Sequence, residues 1–524
     1  MSSMSKLKEP GTGATAASSF NTIPRGQDDP YQYQVGFGNR FASEAIPGVL
    51  PNGQNMPQKN KYDLYTEGMT GASFVAPRAE NLNAWLYRIR PSVAHQGFSK
   101  LPDNPDFESN FLPLNSKVHV SPTQLAWHPF DIPSGEQLVD FVDGMKTVAG
   151  NGDPTLHEGL AVHMYLANTS MGRKAFCNAD GDMLILPERG RLDIQTEFGR
   201  IMARPGELVV IQRGIKFKVK LPDGPSRGYI QEIYGSHYTL PELGPLGGHG
   251  LANPRDFESP LASFDLDQNH WDIVYKVCGQ MHSCSQEHTP FDVVAWHGNY
   301  VPYKYDMSKF VFVGSISKDH IDPSIFCVLT AKSKAPGVPL ADFLIFSGRW
   351  DVGEGTFRPP YYHRNSSTEF MGMIYGEYGG RSDGFKPGGA SFETGFCPHG
   401  GNMLQSRRSR VDSCLPPSPA VSYEEFQKAT EAQLRPTKVH ENTLVFMFES
   451  SMMWTISDWA MRRSGKLHEH EPKMWDNLKG QFMNHLEEVE EDLKKAGLPG
   501  LGHTRVDSGQ NGSEMRGNGH MNGH

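Results

Sequence analysis

Two histidines and one glutamate, His363, Glu369 and His399, are the side chains whose types and spacing point most directly to chemistry. Two imidazoles and one carboxylate form the facial triad of non-haem Fe(II) oxygenases, which leaves open metal positions for a substrate and O₂. The same donors can bind Zn²⁺, so a hydrolase or isomerase that uses Zn or Mn is an alternative. The chain has 21 His, and spacing alone does not single out this set. The triad predicts a metal centre with oxidative chemistry.

The elements that hold these side chains can be inferred from their spacing. His363 and Glu369 are separated by an even offset, so both face one side if they lie on a strand or across a tight hairpin. In the second case residues 364–367 form the turn. Glu369 leads into the apolar segment 370–375, which predicts a rigid strand. His399 follows a proline and precedes a glycine, which indicates a loop that can aim its side chain inward.

The composition favours an all-β fold. The chain has 524 residues, 55 Gly and 38 Pro, which is typical of many turns and short strands. Short apolar runs alternate with turn residues, as in β-sandwiches and rolls. We predict an all-β-dominated bicupin, a double β-roll (jelly roll) with a few peripheral helices. The runs that predict strands are Met183–Leu186, Leu192–Ile194, Leu208–Ile211, Phe291–Trp296, Phe310–Val313, Cys327–Leu329, Leu344–Phe346 and Leu444–Phe448.

The same patterns suggest a division of the chain. One apolar face of Met474–Lys495 predicts an amphipathic helix near the C-terminus. The predicted parts are a disordered tail at 1–30, a cupin-like domain without metal at 31–285, a cupin-like catalytic domain with the Fe site and the helix at 286–500, and a disordered tail at 501–524.

Charge and hydropathy exclude several function classes. The formal net charge is −9 and no Lys/Arg-rich run occurs, so nucleic acids and anionic membranes are poor partner candidates. No apolar stretch reaches the roughly 18 residues of a membrane-spanning helix, and the first thirty residues lack the apolar core of a secretory signal. The six cysteines are scattered without a C-x-x-C motif, which suits a reducing compartment. We expect a cytoplasmic protein.

Longer motifs surround the triad. RPPYYHRN at 358–365, EFMG at 369–372 and PHG at 398–400 resemble the homogentisate 1,2-dioxygenase family. Further segments agree: YQVGFGNRFASEAIPGVLPNGQNMPQ at 33–58, NLNAWLYRIRPS at 81–92, VVAWHGNYVPYKY at 293–305 and DPSIFCVLTAKS at 322–333. The resemblance covers about residues 30 to 480.

The resemblance implies a function. The family uses Fe(II) and O₂ to open the ring of homogentisate to 4-maleylacetoacetate in phenylalanine and tyrosine catabolism. Its iron ligands map onto His363, Glu369 and His399, of which His399 is also expected to border the substrate. His320, which precedes the DPSIF element, maps onto an acid/base that hydrogen-bonds a substrate hydroxyl. Tyr378 maps onto a tyrosine associated with the substrate carboxylate. Family members form hexamers from trimers, so a homo-oligomer is expected.

Several residues permit a second interpretation. Tyr361 shares the face of His363 by offset parity and is predicted to line the substrate pocket. From the residues alone, His320 could be a surface-loop residue and Tyr378 an ordinary buried tyrosine. His297 is predicted to be structural, supporting a loop near the site. Either His157 or His163 could lie on a loop over the pocket.

One position departs from the family pattern. Glu393 stands about where some members have another histidine near the metal. A carboxylate there would change the hydrogen bonds and the charge around the ligands. It could mark a paralogous dioxygenase for a related dihydroxyphenyl acid. A non-catalytic bicupin that keeps the fold for binding is the alternative from another class.

Overall fold

A computed structural model describes residues 29–53, 59–243, 251–312, 323–350, 363–377, 385–399, 438–439, 441–468 and 480–503. Contacts divide the chain into two units, Met1–His470 and Glu471–His524. Most of both predicted tails, residues 1–28 and 504–524, lies outside the described residues.

Strands dominate the first unit. The first sixteen strands are β1 Tyr33–Val35, β2 Phe41–Glu44, β3 Tyr65–Thr70, β4 Asn83–Arg88, β5 Phe98–Lys100, β6 Val118–His119, β7 Leu125–Trp127, β8 Met145–Asp153, β9 Glu158–Ala167, β10 Lys174–Asn178, β11 Gly181–Arg189, β12 Leu192–Thr196, β13 Gly199–Ala203, β14 Glu207–Ile211, β15 Lys216–Lys220 and β16 Ser226–Tyr234. The others are β17 Tyr238–Thr239, β18 Phe257–Pro260, β19 Trp271–Val277, β20 Gln280–Gln286, β21 Val293–Gly298, β22 Tyr303–Asp306, β23 Cys327–Lys332, β24 Pro339–Phe346, β25 Arg349–Trp350, β26 Thr368–Tyr375, β27 Ala390–Glu393, β28 Lys438–Val439, β29 Leu444–Ser450, β30 Thr455–Ser457 and β31 Leu467–His468.

Helices are short and few among the described residues. The α-helix α1 spans Leu486–Lys495 in the second unit and follows a 3₁₀ turn at Phe482–His485. The predicted C-terminal helix is therefore present over its second half, and its residues 474–479 lie outside the described part. A π-helical turn occupies Trp459–Arg463. Further 3₁₀ turns are Lys61–Asp63, Pro154–Leu156, Pro254–Asp256, Met307–Lys309, Pro323–Phe326 and Leu501–His503.

Three large sheets organise the first unit. The central sheet has ten strands in the order β1-β18-β22-β14-β11-β16-β9-β8-β30-β6, and the outer sheet has seven in the order β13-β12-β15-β10-β19-β20-β5. The site sheet, which carries the candidate metal ligands, has eight in the order β17-β23-β24-β29-β26-β27-β7-β31. Smaller sheets are β2-β21-β4-β3 and β25-β28.

The continuous apolar runs are explained by layering. In β11, Leu184 and Leu186 pack in a core shared with the site sheet, whereas Met183 and Ile185 pack in a core shared with the outer sheet. Successive strand residues face opposite sides, so a strand covered on both faces needs apolar residues at every position. The predicted strand-rich fold is confirmed, with a central sheet buried on both faces.

One predicted strand is wrong. In the run Phe310–Val313, Phe310 ends the 3₁₀ turn that Asp306 caps through Ser308, and Val311 makes only an isolated bridge to Leu251. Val311 is exposed. Because the apolar run begins at the residue that ends the turn, no strand forms over the described residues 310–312.

Strands from both ends of the chain share sheets. The early strands β7 and β17 lie in the site sheet, whereas the late strand β30 pairs with β8 in the central sheet. The division into domains at 285/286 remains a prediction.

Candidate metal centre

The two histidines and the glutamate lie on one antiparallel strand pair. Glu369 in β26 pairs with Glu393 in β27, and an isolated bridge pairs His363 with His399. His363 lies six residues before Glu369, and His399 lies six residues after Glu393. The bridge therefore keeps the register of the antiparallel β26–β27 pair. An even offset preserves the face. The predicted parity is therefore present on both segments, with residues 364–367 as an irregular connection.

This register brings the donor atoms together. One donor atom from each of His363, Glu369 and His399 lies within 4.8 Å of the others. Nε2 of His399 is 3.3 Å from Oε2 of Glu369, and Nε2 of His363 is 3.8 Å from Oε1. Backbone hydrogen bonds in both directions between the two histidines fix their spacing. The three side chains converge on one point.

The orientation of His399 is set by its neighbour. Nδ1 of His399 lies 2.8 Å from the carbonyl oxygen of Cys397, so Nδ1 donates its proton there and Nε2 is the nitrogen left to bind a metal. His399 is 5% exposed, and its buried Nε2 makes no hydrogen bond of good geometry to the described residues. The side chain of His363 is 24% exposed. One ligand is thus sealed in the protein and the other borders solvent.

Glu369 is held by the connection before its strand. Nδ2 of Asn365 donates to Oε1 of Glu369 at 2.7 Å, and Oδ1 of Asn365 accepts from the backbone N–H of Ser367. The asparagine is thus locked by the turn and fixes the carboxylate. Such partners orient metal ligands and tune the site.

Other carboxylates act on the site. Burial alone lowers the pKa of His399, but Glu369 and Glu393 outweigh it and raise that pKa above its usual value. Burial, with repulsion from Glu369 and Asp342, raises the pKa of Glu449 to about 7. Gln124 donates to Oε1 of the fully buried Glu393 at 2.6 Å. Among the residues that the structure describes, two further glutamates, Glu393 and Glu449, therefore act on the triad.

The donor set fits a divalent metal. Two imidazoles whose Nε2 atoms face one carboxylate match non-haem Fe(II) sites in which three coordination positions stay open. The buried Nε2 of His399 needs an acceptor of its lone pair, and a metal ion supplies one. These residues can hold a metal, and three protein ligands would leave coordination positions for other molecules.

The structure describes only part of the predicted site. His320, Tyr361 and Tyr378 lie outside the described residues. His297 is on β21 of the four-stranded sheet rather than on the site sheet. His157 lies at the end of a 3₁₀ turn.

His163 does not lie on a loop, which corrects one expectation. It is fully buried on β9, where Nδ1 contacts Oγ1 of Thr147 at 2.9 Å and Nε2 contacts Oε2 of Glu232 at 3.2 Å. Its ring stacks on Phe107. Both ring nitrogens have partners, so this histidine is structural.

Sequence reasoning missed Asn365, Gln124 and Glu449. Asn365 had a local signal, because an asparagine in a turn just before a strand can accept a hydrogen bond from the backbone N–H two residues ahead. Gln124 and Glu449 are distant in the chain from the ligands, and strand pairing brings Glu449 beside Glu369 and Gln124 beside Glu393.

Comparisons with known proteins agree on one family. Residues 32–307 match the family model described as the N-terminal part of homogentisate 1,2-dioxygenase, and residues 308–418 and 409–482 match its C-terminal part. Relatives named homogentisate 1,2-dioxygenase include proteins from Emericella nidulans (46% identical, covering 87% of this chain and 96% of the relative), Arabidopsis thaliana (48%, 86% and 93%) and Homo sapiens (45%, 86% and 97%).

Solved structures give distant likenesses. A Bacillus subtilis oxalate decarboxylase mutant is 12% identical with a TM-score of 0.26, covering 68% of this chain and 86% of that one. A putative glyoxylate-induced protein from Pseudomonas aeruginosa is 7% identical with a TM-score of 0.25, covering 68% and 96%. Likenesses of this size carry no argument about chemistry.

Proposed function

The chain belongs to the homogentisate 1,2-dioxygenase family, and we propose that it opens the ring of homogentisate at an Fe(II) centre held by His363, Glu369 and His399. The product of this reaction is 4-maleylacetoacetate, in the catabolism of phenylalanine and tyrosine. The observation that carries the iron proposal is the convergence of two imidazoles and one carboxylate within 4.8 Å.

Bound Fe(II) would supply adjacent open positions at which an aromatic diol and O₂ can meet. The chain contributes the geometry of that meeting. The Cys397 carbonyl fixes the tautomer of His399, and Asn365 fixes the carboxylate of Glu369. The strand pair keeps the spacing of the ligands constant, so no reorganisation is needed when substrate arrives.

The family resemblance assigns proton transfer and substrate orientation to three further residues. We propose that His320 exchanges a proton with a substrate hydroxyl, as an imidazole can at neutral pH. Tyr378 would hydrogen-bond the substrate carboxylate, and Tyr361 would line the ring pocket. His399 would border the bound substrate.

Anaerobic loading with Fe(II), followed by O₂-electrode and ultraviolet traces after homogentisate is added, tests this function. We expect O₂ uptake coupled to the absorbance of a ring-opened product. His363→Ala or Glu369→Ala should abolish both signals, whereas His468→Ala, on β31 of the same sheet, should keep them. Iron-loaded protein that consumes no O₂ with any aromatic diol would contradict an oxygenase and favour Zn or Mn chemistry.

A paralogous activity on a related dihydroxyphenyl acid is the second candidate. The observation that favours it is Glu393, whose buried carboxylate acts on His399. Steady-state kinetics with homogentisate and other dihydroxyphenyl acids decide between the two. A kcat/KM for another acid that exceeds the homogentisate value would establish the paralogue, and the reverse order would exclude it.

We also propose a cytoplasmic homo-oligomer, a hexamer built as a dimer of trimers. Support comes from the family resemblance. Among the described residues, none of the helices has the length and apolar character needed to cross a bilayer. Sedimentation of the full chain checks the assembly: a mass near that of one chain would contradict it.

A further inference from the structure

Four carboxylates lie side by side across the site sheet. The register pairs Asp342 with Glu449, Glu449 with Glu369, and Glu369 with Glu393. Directly opposed residues of neighbouring strands point to the same face and lie about 5 Å apart. We call this set the carboxylate row. It crosses β24, β29, β26 and β27 in one line, and the metal ligand Glu369 is one of its two inner members.

The carboxylate row concentrates negative charge on both sides of Glu369. Like charges directly opposite each other destabilise a sheet, and removal of a carboxylate from water adds to the cost. Glu369 is 5% exposed and Glu393 is 0% exposed. Glu449 is partly buried beside them.

A second observation points to a cation at the same place. Nε2 of the buried His399 faces Glu369 and lies 3.3 Å from its Oε2. A lone pair and a carboxylate oxygen at that distance do not attract each other unless a proton or a metal ion lies between them. Positive charge is therefore expected at the middle of the row.

We propose that Glu393 and Glu449, which are not metal ligands, set the affinity of the centre for a divalent ion. They act through their charge on the strands that flank Glu369. Gln124 keeps Glu393 in place through the 2.6 Å bond to Oε1. This inference rests on the metal centre proposed above and adds two residues outside the triad to it.

The proposal has a consequence that a merely structural role does not share. Without metal, the flanking carboxylates repel Glu369, so their removal should stabilise the apoprotein. With metal, the same carboxylates attract the ion, so their removal should weaken binding. Glu393→Gln and Glu449→Gln should therefore raise the denaturation midpoint of the apoprotein and raise the metal Kd about tenfold or more, the usual effect of losing a partner next to the ligands.

The test uses the full chain stripped of metal. Mn²⁺, and Fe²⁺ without oxygen, are titrated in competition with a chromophoric chelator, and urea denaturation of the same apoproteins is recorded. Asp342→Asn is the matched control, because Asp342 belongs to the row but lies two strands from Glu369. It should stabilise the apoprotein while changing the metal Kd less than either glutamine variant.

Each outcome decides the matter. Wild-type protein that binds Mn²⁺ or Fe²⁺ together with variants of unchanged Kd would overturn the role of the row and leave the metal centre standing. Variants that lose apoprotein stability along with metal affinity would show a structural role instead. Wild-type protein that binds neither ion would overturn both proposals. If Glu393→Gln fails to fold, the half-buried Glu449→Gln carries the test alone.

Discussion

At the scale of single residues, the candidate centre depends on partners that hold each ligand. His399 has its tautomer fixed by a carbonyl, and Glu369 has one oxygen fixed by Asn365. Neither partner contacts the metal position itself. Because a metal site needs its donors oriented before the ion arrives, these two contacts should matter for affinity more than for the stability of the fold.

Asn365→Ala should weaken metal binding by about 10- to 100-fold, since the carboxylate of Glu369 loses its fixed orientation. Chelator competition with Mn²⁺ measures the change. Asn253→Ala is a matched control, because both asparagines accept a backbone N–H two residues ahead, from Ser367 and from Arg255, but Asn253 caps a distant turn. Equal Kd values for the two variants would contradict a role of Asn365 in orienting the carboxylate of Glu369.

At the scale of elements, the β26–β27 pair does the positioning. Its register continues through the irregular residues 364–367 to the bridge between His363 and His399. The next strand, β29, packs Phe446 closely against β26 near Gly372. The absence of a side chain at Gly372 lets the strand that carries Glu369 lie flat against its aromatic neighbours.

Gly372→Ala should lower the free energy of unfolding by about 1–3 kcal/mol, the usual cost of overpacking. A Cβ at this position would lie 2.3 Å from Cζ of Phe446 and 2.9 Å from Cε1 of Tyr229. Urea denaturation measures the loss. Gly480→Ala, where a Cβ would meet no atom within 4 Å, should leave stability nearly unchanged. A Gly372→Ala protein as stable as the wild type would mean that the aromatic rings can shift at little cost.

The elements also show what a sequence can and cannot predict. His363 and Glu369 could be paired because parity on a strand is a local rule, and the apolar run of β11 predicted a buried strand for the same reason. The carboxylate row was not predicted. Its members, Asp342, Glu449, Glu369 and Glu393, are aligned by the pairing of strands that are far apart in the sequence. The expectation that His163 lies on a loop was wrong, since its partner Glu232 is 69 residues away in the sequence.

At the scale of the whole molecule, a cluster of buried charges joins the central sheet to the outer sheet. Glu232 lies between His163 and Lys276, and Lys276 also contacts Asp180 at 2.7 Å. Asn178 donates to Glu232 as well. Partnered charges of this kind add little to stability as a set, but removal of one partner is expensive.

The wild-type protein should lose stability as pH falls from about 4.3 to about 2. Burial alone would raise the pKa of Glu232, but Lys276 and His163 outweigh it and lower that pKa to about 2, below the roughly 4.3 of an unfolded chain. The unfolded state thus binds the proton first, and stabilisation present above pH 4.3 disappears in this window. Urea denaturation as a function of pH measures the slope. The double variant Glu232→Gln/Lys276→Met should give a flatter profile there, and an unchanged slope would assign acid lability to other groups.

The position of β7 in the site sheet has a consequence for folding during synthesis. Its neighbours in the sheet, β27 and β31, are both encoded much later, and Gln124 is 269 residues before its partner Glu393. A ribosome that adds roughly 5–20 residues per second needs about 15 to 50 s to cover that distance. For this interval the emerging β7 segment has no strand to pair with, and unpaired strand edges invite association with other chains. We therefore expect the β7 segment of the nascent chain to stay exposed to such association until β27 has been synthesised.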